Sequence, residues 1–257
     1  MKKSMLLLAA FVCALQVQAQ FAVVNYMKVK PGSGDAFLAN ERVWKKLHQQ
    51  RVNEGKMIAW EVFYVHGQGT ESPYNYVTVD VYENMQAAFT DLTTDELKKA
   101  FGEKYADVLS KTSANRDLVY SDMFNRVLAI DGKSPDKFVR ISFMSIKDND
   151  KYYKMEEKAF KPIHQAAVDM GNLNAWSIWA MPFWNNTRYD AIAANGFTSV
   201  EQMAKMNYGE DVLKKGMASM KASEQLEASG LINETSNIRT MVISQLWELL
   251  ESTAPKK

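Results

Sequence analysis

Residues 37–55 read FLANERVWKKLHQQRVNEG, and the layout of this stretch returns in residues 153–171, which read YKMEEKAFKPIHQAAVDMG. One constant offset of 116 positions relates the matched residues, which are Glu41 and Glu157, Trp44 and Phe160, His48 and His164, Gly55 and Gly171, and Trp60 and Trp176. Each stretch has the apolar spacing of a helix, with the glycine as its stop. The sequence therefore predicts an internal duplication built around two equivalent helices.

The composition is that of an ordinary globular protein. The chain has 257 residues, of which 47% are hydrophobic and 24% are charged, and its formal net charge is +1. Such a chain is long enough for one large core or two smaller ones. A charge this close to zero gives no reason to expect nucleic acid or an anionic membrane surface as a partner.

The first 19 residues have the three parts of a secretory signal. Lys2 and Lys3 precede an apolar run at Met5–Leu15, and the small-residue end is Val17-Gln18-Ala19. The run is too short to span a bilayer, so we expect cleavage after Ala19 and a periplasmic or secreted protein. Because the only cysteine, Cys13, lies in this run, the mature chain would have no disulfide, cysteine zinc site or cysteine nucleophile.

Predicted strands and helices follow the order βαββαβ twice. The first repeat occupies residues 20–130 and the second residues 138–257, with residues 131–137 (DGKSPDK) as the linker. A βαββαβ unit places its helices on one face of a four-stranded antiparallel sheet and leaves the other face bare. We therefore predict an α+β fold in which two ferredoxin-like repeats pack sheet to sheet as a pseudo-dimeric α/β barrel.

This element order and duplication, between Phe21 and Leu250, resemble the dimeric α/β-barrel superfamily, especially tandem members similar to antibiotic-biosynthesis-monooxygenase-like proteins. The superfamily includes cofactor-independent monooxygenases, small-ligand lyases and isomerases, and haem-degrading enzymes, and its tandem members include haem-binding peroxidase-like enzymes. The resemblance thus leaves haem open as a cofactor and does not decide whether this chain is an enzyme.

The candidate site residues lie on the repeated helices. Glu41 and His48 fall in the apolar sector of the first helix, and Glu157 and His164 do so in the second. Buried ionisable groups need a partner or a wet cavity, so one interpretation is a pocket in which these residues are catalytic. The alternative is packing, with Glu41 paired to Arg116, Glu157 to Arg239 and each histidine bonded to a backbone carbonyl. No helix carries histidines at i and i+4, so no metal site is predicted.

Aromatic side chains could wall such a pocket. The candidates for ligand binding, beside Arg116 and Arg239, are Trp44, Trp60, Phe160, Trp176 and Trp179. Two functions remain. One is an exported protein that binds a small hydrophobic or aromatic molecule between the first helix and the sheet of one or both repeats. The other is a monooxygenase-like or haem-dependent enzyme that uses His48 or His164 as base or iron ligand. A homo-oligomer is left open.

Overall fold

The computed structural model describes residues 20–183, 188–206 and 208–255. The predicted signal segment, residues 1–19, lies outside these ranges and stays a prediction. The strands of the described residues are β1 (Phe21–Val29), β2 (Ala59–Val65), β3 (Tyr76–Tyr82), β4 (Arg116–Ile130), β5 (Phe138–Ile146), β6 (Ala175–Ala180), β7 (Ala191–Phe197) and β8 (Arg239–Ser252).

Helices fill the connections between these strands. They are α1 (Gly34–Asn53), α2 (Met85–Ala88), α3 (Thr94–Phe101), α4 (Tyr105–Asn115), α5 (Asn149–Met155), α6 (Lys161–Asp169), α7 (Val200–Ala204), α8 (Glu210–Ala218), α9 (Ala222–Asn233) and α10 (Thr235–Ile238). A π-helical turn at Glu156–Phe160 joins α5 to α6. Within the described ranges, no helix combines the length and apolar character that crossing a membrane requires.

The strands close into one antiparallel barrel in the order β1-β3-β2-β8-β5-β7-β6-β4. Each half of the chain contributes the same internal order, because β4-β1-β3-β2 in the first half corresponds to β8-β5-β7-β6 in the second. Hydrogen bonds join the halves where β2 pairs with β8 and where β4 pairs with β6. The predicted α+β class with antiparallel strands is confirmed, and these two pairings between the halves are a feature that sequence patterns did not predict.

Alternation along the strands creates an inner core and two outer layers. In β1, Ala22, Val24 and Tyr26 join the cluster inside the barrel, whereas Val23 packs against the outer layer of the first half. This is the period of two that a half-buried strand requires. Helix α1 covers the outer face of the first half, and α5 and α6 cover that of the second. Each outer layer is centred on a fully buried tryptophan, Trp60 or Trp176.

The predicted helix stops at Gly55 and Gly171 are confirmed. The two glycines have φ angles of 73° and 75°, in the left-handed region that a side chain bearing Cβ adopts at a cost. Both follow the last turn of their helix and redirect the chain toward the next strand. The helices therefore end at equivalent places and deliver β2 and β6 to equivalent positions in the barrel.

The helix of the second half differs from α1 by its π turn. A π-helical turn holds one residue more than an α-helical turn, so residues before it are displaced by one position relative to residues after it. His164 follows the π turn, so the offset of 116 still relates it to His48. Glu41 corresponds to a residue within the turn, and for this residue the offset fails. The residue that corresponds to Glu41 is Glu156, and both are almost fully buried.

Candidate functional site

Two cavities lie between the helices and the outer face of the barrel, one in each half of the chain. The first-half cavity has a volume of about 260 Å³, and its polar and aromatic wall includes Glu41, Trp44, His48, Trp60, Asp80 and Arg116. The second-half cavity has a volume of about 300 Å³, and the residues at corresponding places in its wall are Glu156, Phe160, His164, Trp176, Asn195 and Arg239. Equivalent elements position each pair of residues. Trp60 lies opposite Asp80 across β2 and β3, and Trp176 lies opposite Asn195 across β6 and β7.

Each histidine lies flat against a tryptophan. The His48 and Trp60 ring centroids are 4.8 Å apart with planes 8° apart, and those of His164 and Trp176 are 4.7 Å apart with planes 24° apart. Burial, together with the smaller effect of nearby arginine charges, lowers the pKa of both histidines to about 3. Both rings are therefore neutral at neutral pH, and groups with so low a pKa are weak general bases.

The two histidines have different polar partners, and neither is the backbone carbonyl expected from the packing alternative. Nδ1 of His48 lies 3.9 Å from a carboxylate oxygen of Asp80, without hydrogen-bond geometry. Nδ1 of His164 lies 2.7 Å from the Tyr208 hydroxyl, which accepts a hydrogen bond of 3.1 Å from the Asn195 side chain. The second half thus holds its histidine in a chain of hydrogen bonds.

A buried glutamate and an arginine face each other in both cavities. Oε1 of Glu41 is 3.2 Å from Nη2 of Arg116, and Oε1 of Glu156 is 3.5 Å from Nε of Arg239. Neither contact has hydrogen-bond geometry, so Oε1 of Glu41 and Oε1 of Glu156 both lack a hydrogen-bond partner. Burial raises the pKa of each glutamate to about 7 against the lowering effect of its arginine. A carboxyl group with such a pKa exchanges its proton near neutral pH, which suits an acid or base.

The sequence predicted that Glu157 is the buried glutamate of the second-half cavity. The structure shows that this prediction was wrong. The Glu157 side chain is 54% exposed and lies 3.9 Å from Lys158, whereas Glu156 faces the cavity and Arg239. The physical reason is the extra residue of the π turn. The Glu41–Arg116 pair of the packing alternative is present, and its counterpart is Glu156–Arg239. Because all four residues also line cavities, the pairing does not separate packing from function.

Four of the aromatic candidates line the cavities and one does not. Trp44 and Trp60 line the first-half cavity, and Phe160 and Trp176 line the second. Trp179 packs instead against the cluster inside the barrel. The reason is strand alternation in β6, where Trp176 and Ile178 face the helices and Trp179 faces the opposite way. The assignment of Trp179 to a pocket under the helix was wrong.

Several residues of the cavities were missed by reasoning from the sequence. Asp80 and Asn195 interrupt the apolar runs of β3 and β7 at matching positions, and that interruption was a readable signal. Asn25 donates a hydrogen bond of 2.9 Å to Asp80, while burial raises the Asp80 pKa to about 6. Tyr208 lies in the connection between β7 and β8, and the described wall of the first-half cavity has no tyrosine. The contribution of Tyr208 could not be read from the repeat.

Arg140 distinguishes the second-half cavity most clearly. It pairs with Asn195 across β5 and β7, and the residue at the matching place beside Asp80 is Val23. Nε of Arg140 is buried without a hydrogen-bond partner, and the described residues give the guanidinium no ion pair. The second-half cavity therefore contains a cationic group with no ion-pair partner among the described residues.

The cavities do not fit the metal or the haem that related folds can carry. No group of three or more histidine, cysteine, aspartate or glutamate side chains within the described ranges could hold a metal ion. Volumes of about 260 and 300 Å³ lie at or below the lower limit of pockets for small ligands, and haem is much larger than such ligands.

Comparison with known proteins identifies the fold and no closer relationship. No protein-family model matches the chain, and no curated protein matches it in sequence. A proposed monooxygenase from Fusobacterium nucleatum has a TM-score of 0.55 at 9% identity, with the match covering 94% of this chain and 99% of that one. A proposed monooxygenase from Lactobacillus acidophilus has a TM-score of 0.52 at 13% identity, with coverage of 93% and 97%. A mutant chlorite dismutase from Candidatus Nitrospira defluvii has a TM-score of 0.50 at 9% identity, with coverage of 90% and 91%.

These neighbours share the dimeric α/β-barrel fold, so the resemblance predicted from element order is confirmed. The chain therefore shares its fold with these neighbours. Identities of 9% to 13% show the fold and leave the activity to be argued from the site.

Proposed function

We propose that this protein binds a small, flat aromatic molecule with an anionic group, such as an aromatic carboxylate, in the second-half cavity. The walls support an aromatic body, since Phe160, Ile163 and Trp176 supply apolar surface and a few polar groups converge on it. Ligand sites are usually built in this way, with apolar walls for affinity and a few polar groups for orientation. The volume of about 300 Å³ suits a molecule of one or two rings.

The first-half cavity is a weaker candidate because of its charge. It combines two carboxyl groups, Glu41 and Asp80, with one arginine, Arg116. The second-half cavity replaces Asp80 with the neutral Asn195 and adds Arg140. An anionic ligand would thus meet repulsion in the first half and attraction in the second.

The observation that carries this proposal is the Arg140 guanidinium, which has no ion-pair partner among the described residues and lies in a mainly apolar cavity. Arg140 is half-buried and its Nε is fully buried. Partial removal of a charge from water without a partner is costly, and a ligand carboxylate would offset that cost. Arginine also matches the planar geometry of a carboxylate with two parallel donors. Arg239, which lies 5.3 Å from the Phe160 ring centroid, adds a second positive charge beside the aromatic wall.

Isothermal titration calorimetry with 2-naphthoate and with the neutral 2-naphthamide tests the proposal. We expect Arg140→Met to weaken naphthoate binding about tenfold or more and to leave naphthamide binding nearly unchanged. Arg42→Met removes a charge from a side chain that is 63% exposed and serves as the control. Equal affinities for the two probes, or an unchanged naphthoate affinity in a folded Arg140→Met variant, would contradict the proposal.

A second candidate function is cofactor-independent oxygenation, in which Glu156 takes the proton of a bound phenol. Two observations favour it: the buried Glu156 carboxyl with a pKa of about 7, and two structural neighbours that are described as proposed monooxygenases. Oxygen uptake with 2-naphthol should then occur in the wild type and disappear in Glu156→Gln, while naphthol binding persists. A Soret band on titration with haemin that His164→Ala removes would instead assign the cavity to haem.

We also propose, as the sequence suggests, that the chain is exported and that its halves descend from one duplicated unit acting as a pseudo-dimer. The identical strand order of the two halves supports the duplication. The three-part composition of residues 1–19 supports export. Detection of a mature chain beginning at Gln20 in a periplasmic or culture fraction would test the proposed export.

A further inference from the structure

A third cavity lies inside the barrel, on the opposite side of the sheet from the two cavities already described. Its volume of about 430 Å³ exceeds both of theirs. It opens at the end where β1 begins, and linker residues 131–136 contribute to its rim. Its apolar wall includes Val24, Phe63, Phe124, Ile141, Trp179 and Trp247. The interior therefore offers an apolar space of ligand size.

Glu61 places a carboxylate in this apolar space. It is part of the cavity wall, and within the described ranges no hydrogen bond or ion pair reaches its side chain. The other charged groups of the wall have partners: Arg126 bonds to Asp131 and to Gln20, and the Asp136 carboxylate accepts a hydrogen bond of 2.7 Å from Asn174. One unpartnered negative group thus faces the cavity.

The charges of the wall select the kind of ligand. Glu61, Asp131 and Asp136 outnumber Arg126, which is already paired, so an anion would be repelled. A metal ion is disfavoured because no cluster of three or more ligating side chains exists in the described part of the chain. An organic ammonium ion fits both features, since its charge would meet Glu61 and its body would meet the aromatic wall, whose ring faces attract cations.

We infer that the barrel interior is a second binding site, which takes a small apolar primary amine in its protonated form and uses Glu61 as the counter-ion. The site is independent of the proposed function of the second-half cavity. It is formed by the inner face of strands from both halves and by the linker between them.

The proposal makes a prediction about pH. Burial, followed by the charge of Asp136, raises the pKa of Glu61 to about 7. A bound ammonium ion favours the ionised carboxylate, so the protein should release a proton on binding near neutral pH. The affinity for an amine should therefore increase from pH 6 to pH 8. The other charged groups that line the cavity with Glu61 are Arg126, Asp131 and Asp136.

Calorimetric titration of the full chain with benzylamine, and with benzyl alcohol as the uncharged probe, tests the site. Glu61→Gln should weaken benzylamine binding about tenfold or more and leave benzyl alcohol binding nearly unchanged. The control Glu103→Gln, on an exposed residue, should leave both unchanged. A second variant, Ala22→Leu, keeps the carboxylate but fills part of the cavity, and it should weaken both probes.

Three results would overturn the inference. They are no saturable benzylamine binding by the wild type, an unchanged affinity in Glu61→Gln, and an unchanged affinity in Ala22→Leu. Because naphthoate is the probe for the second-half cavity, failure of benzylamine with success of naphthoate would refute the interior site alone.

Discussion

Replacement of Glu156 by glutamine should stabilise the protein at pH 8 and have little effect at pH 4. Glutamine has nearly the shape of the protonated glutamate and cannot ionise, so the substitution removes a buried negative charge. Two effects compete. The charge attracts Arg239, but desolvation is the larger effect, because the pKa of Glu156 is raised despite that arginine. The distance of 3.5 Å between Oε1 and Nε, without hydrogen-bond geometry, agrees with a weak attraction.

The size of the effect follows from the pKa. The carboxyl has a pKa of about 7 in the folded protein against the ordinary 4.5, and each pKa unit corresponds to about 1.4 kcal/mol. A raised carboxyl pKa means that the folded state binds the proton more tightly, so stability is lost as pH rises from 4.5 through 7. Above pH 7 the ionised group costs roughly 3 kcal/mol. The side chain is only 2% exposed, so solvent screens this cost little.

Chemical denaturation at pH 4 and pH 8 measures the free energy of unfolding and so tests the predicted cost of the ionised Glu156 carboxylate. We expect Glu156→Gln to raise it by up to roughly 3 kcal/mol at pH 8 and to leave it nearly unchanged at pH 4. The matched control is Glu157→Gln, on the exposed neighbour, which should change neither value. A pH-dependent gain in the free energy of unfolding of Glu157→Gln would refute the conclusion that the π turn places Glu156, rather than Glu157, in the cavity. A loss of stability at pH 8 in Glu156→Gln would show that the Arg239 pair outweighs desolvation.

Three further predictions concern single contacts. The pKa of His164 is lowered to about 3, so its contribution to stability is present above pH 6.5 and is lost as the pH falls below that value. Denaturation experiments should therefore show that the free energy of unfolding of the wild type falls by about 2 kcal/mol more between pH 7 and pH 5 than that of His164→Gln. Tyr208→Phe removes the partner of the His164 ring nitrogen and should cost about 1–3 kcal/mol in the free energy of unfolding. Gly196→Ala places a Cβ against the Asp136 carboxylate and should lower that free energy by about 1–3 kcal/mol, whereas Gly69→Ala, with open space around it, should not.

Much of the fold was readable from the sequence because it depends on repeated local patterns. Alternation predicted the strands, and the glycines at positions 55 and 171 predicted where the long helices end. The repeat predicted that His48 and His164 occupy equivalent places, and both lie on tryptophans at equivalent positions. The division of the chain into two repeats with a linker at residues 131–137, and the roles of the site residues, stay predictions.

The failures have physical causes that a constant offset cannot reveal. The π turn holds one residue more than an α-helical turn, and it brings Glu156, rather than Glu157, into the cavity. Trp179 was misplaced because an aromatic residue suits either face of a strand. Arg140 was missed because the matching place in the first half holds Val23. Tyr208 was missed because no tyrosine among the described residues lines the first-half cavity. Comparison of the repeats therefore carried no information about either residue.

Closure of the barrel has a consequence for the behaviour of the chain in crowded solution. The pairings of β2 with β8 and of β4 with β6 leave no edge strand, and so no exposed sheet border, among the described strands. An exposed border is a template on which other chains can add strands and aggregate. Either half alone would present two such borders, so the intact chain is protected only when both halves have folded together.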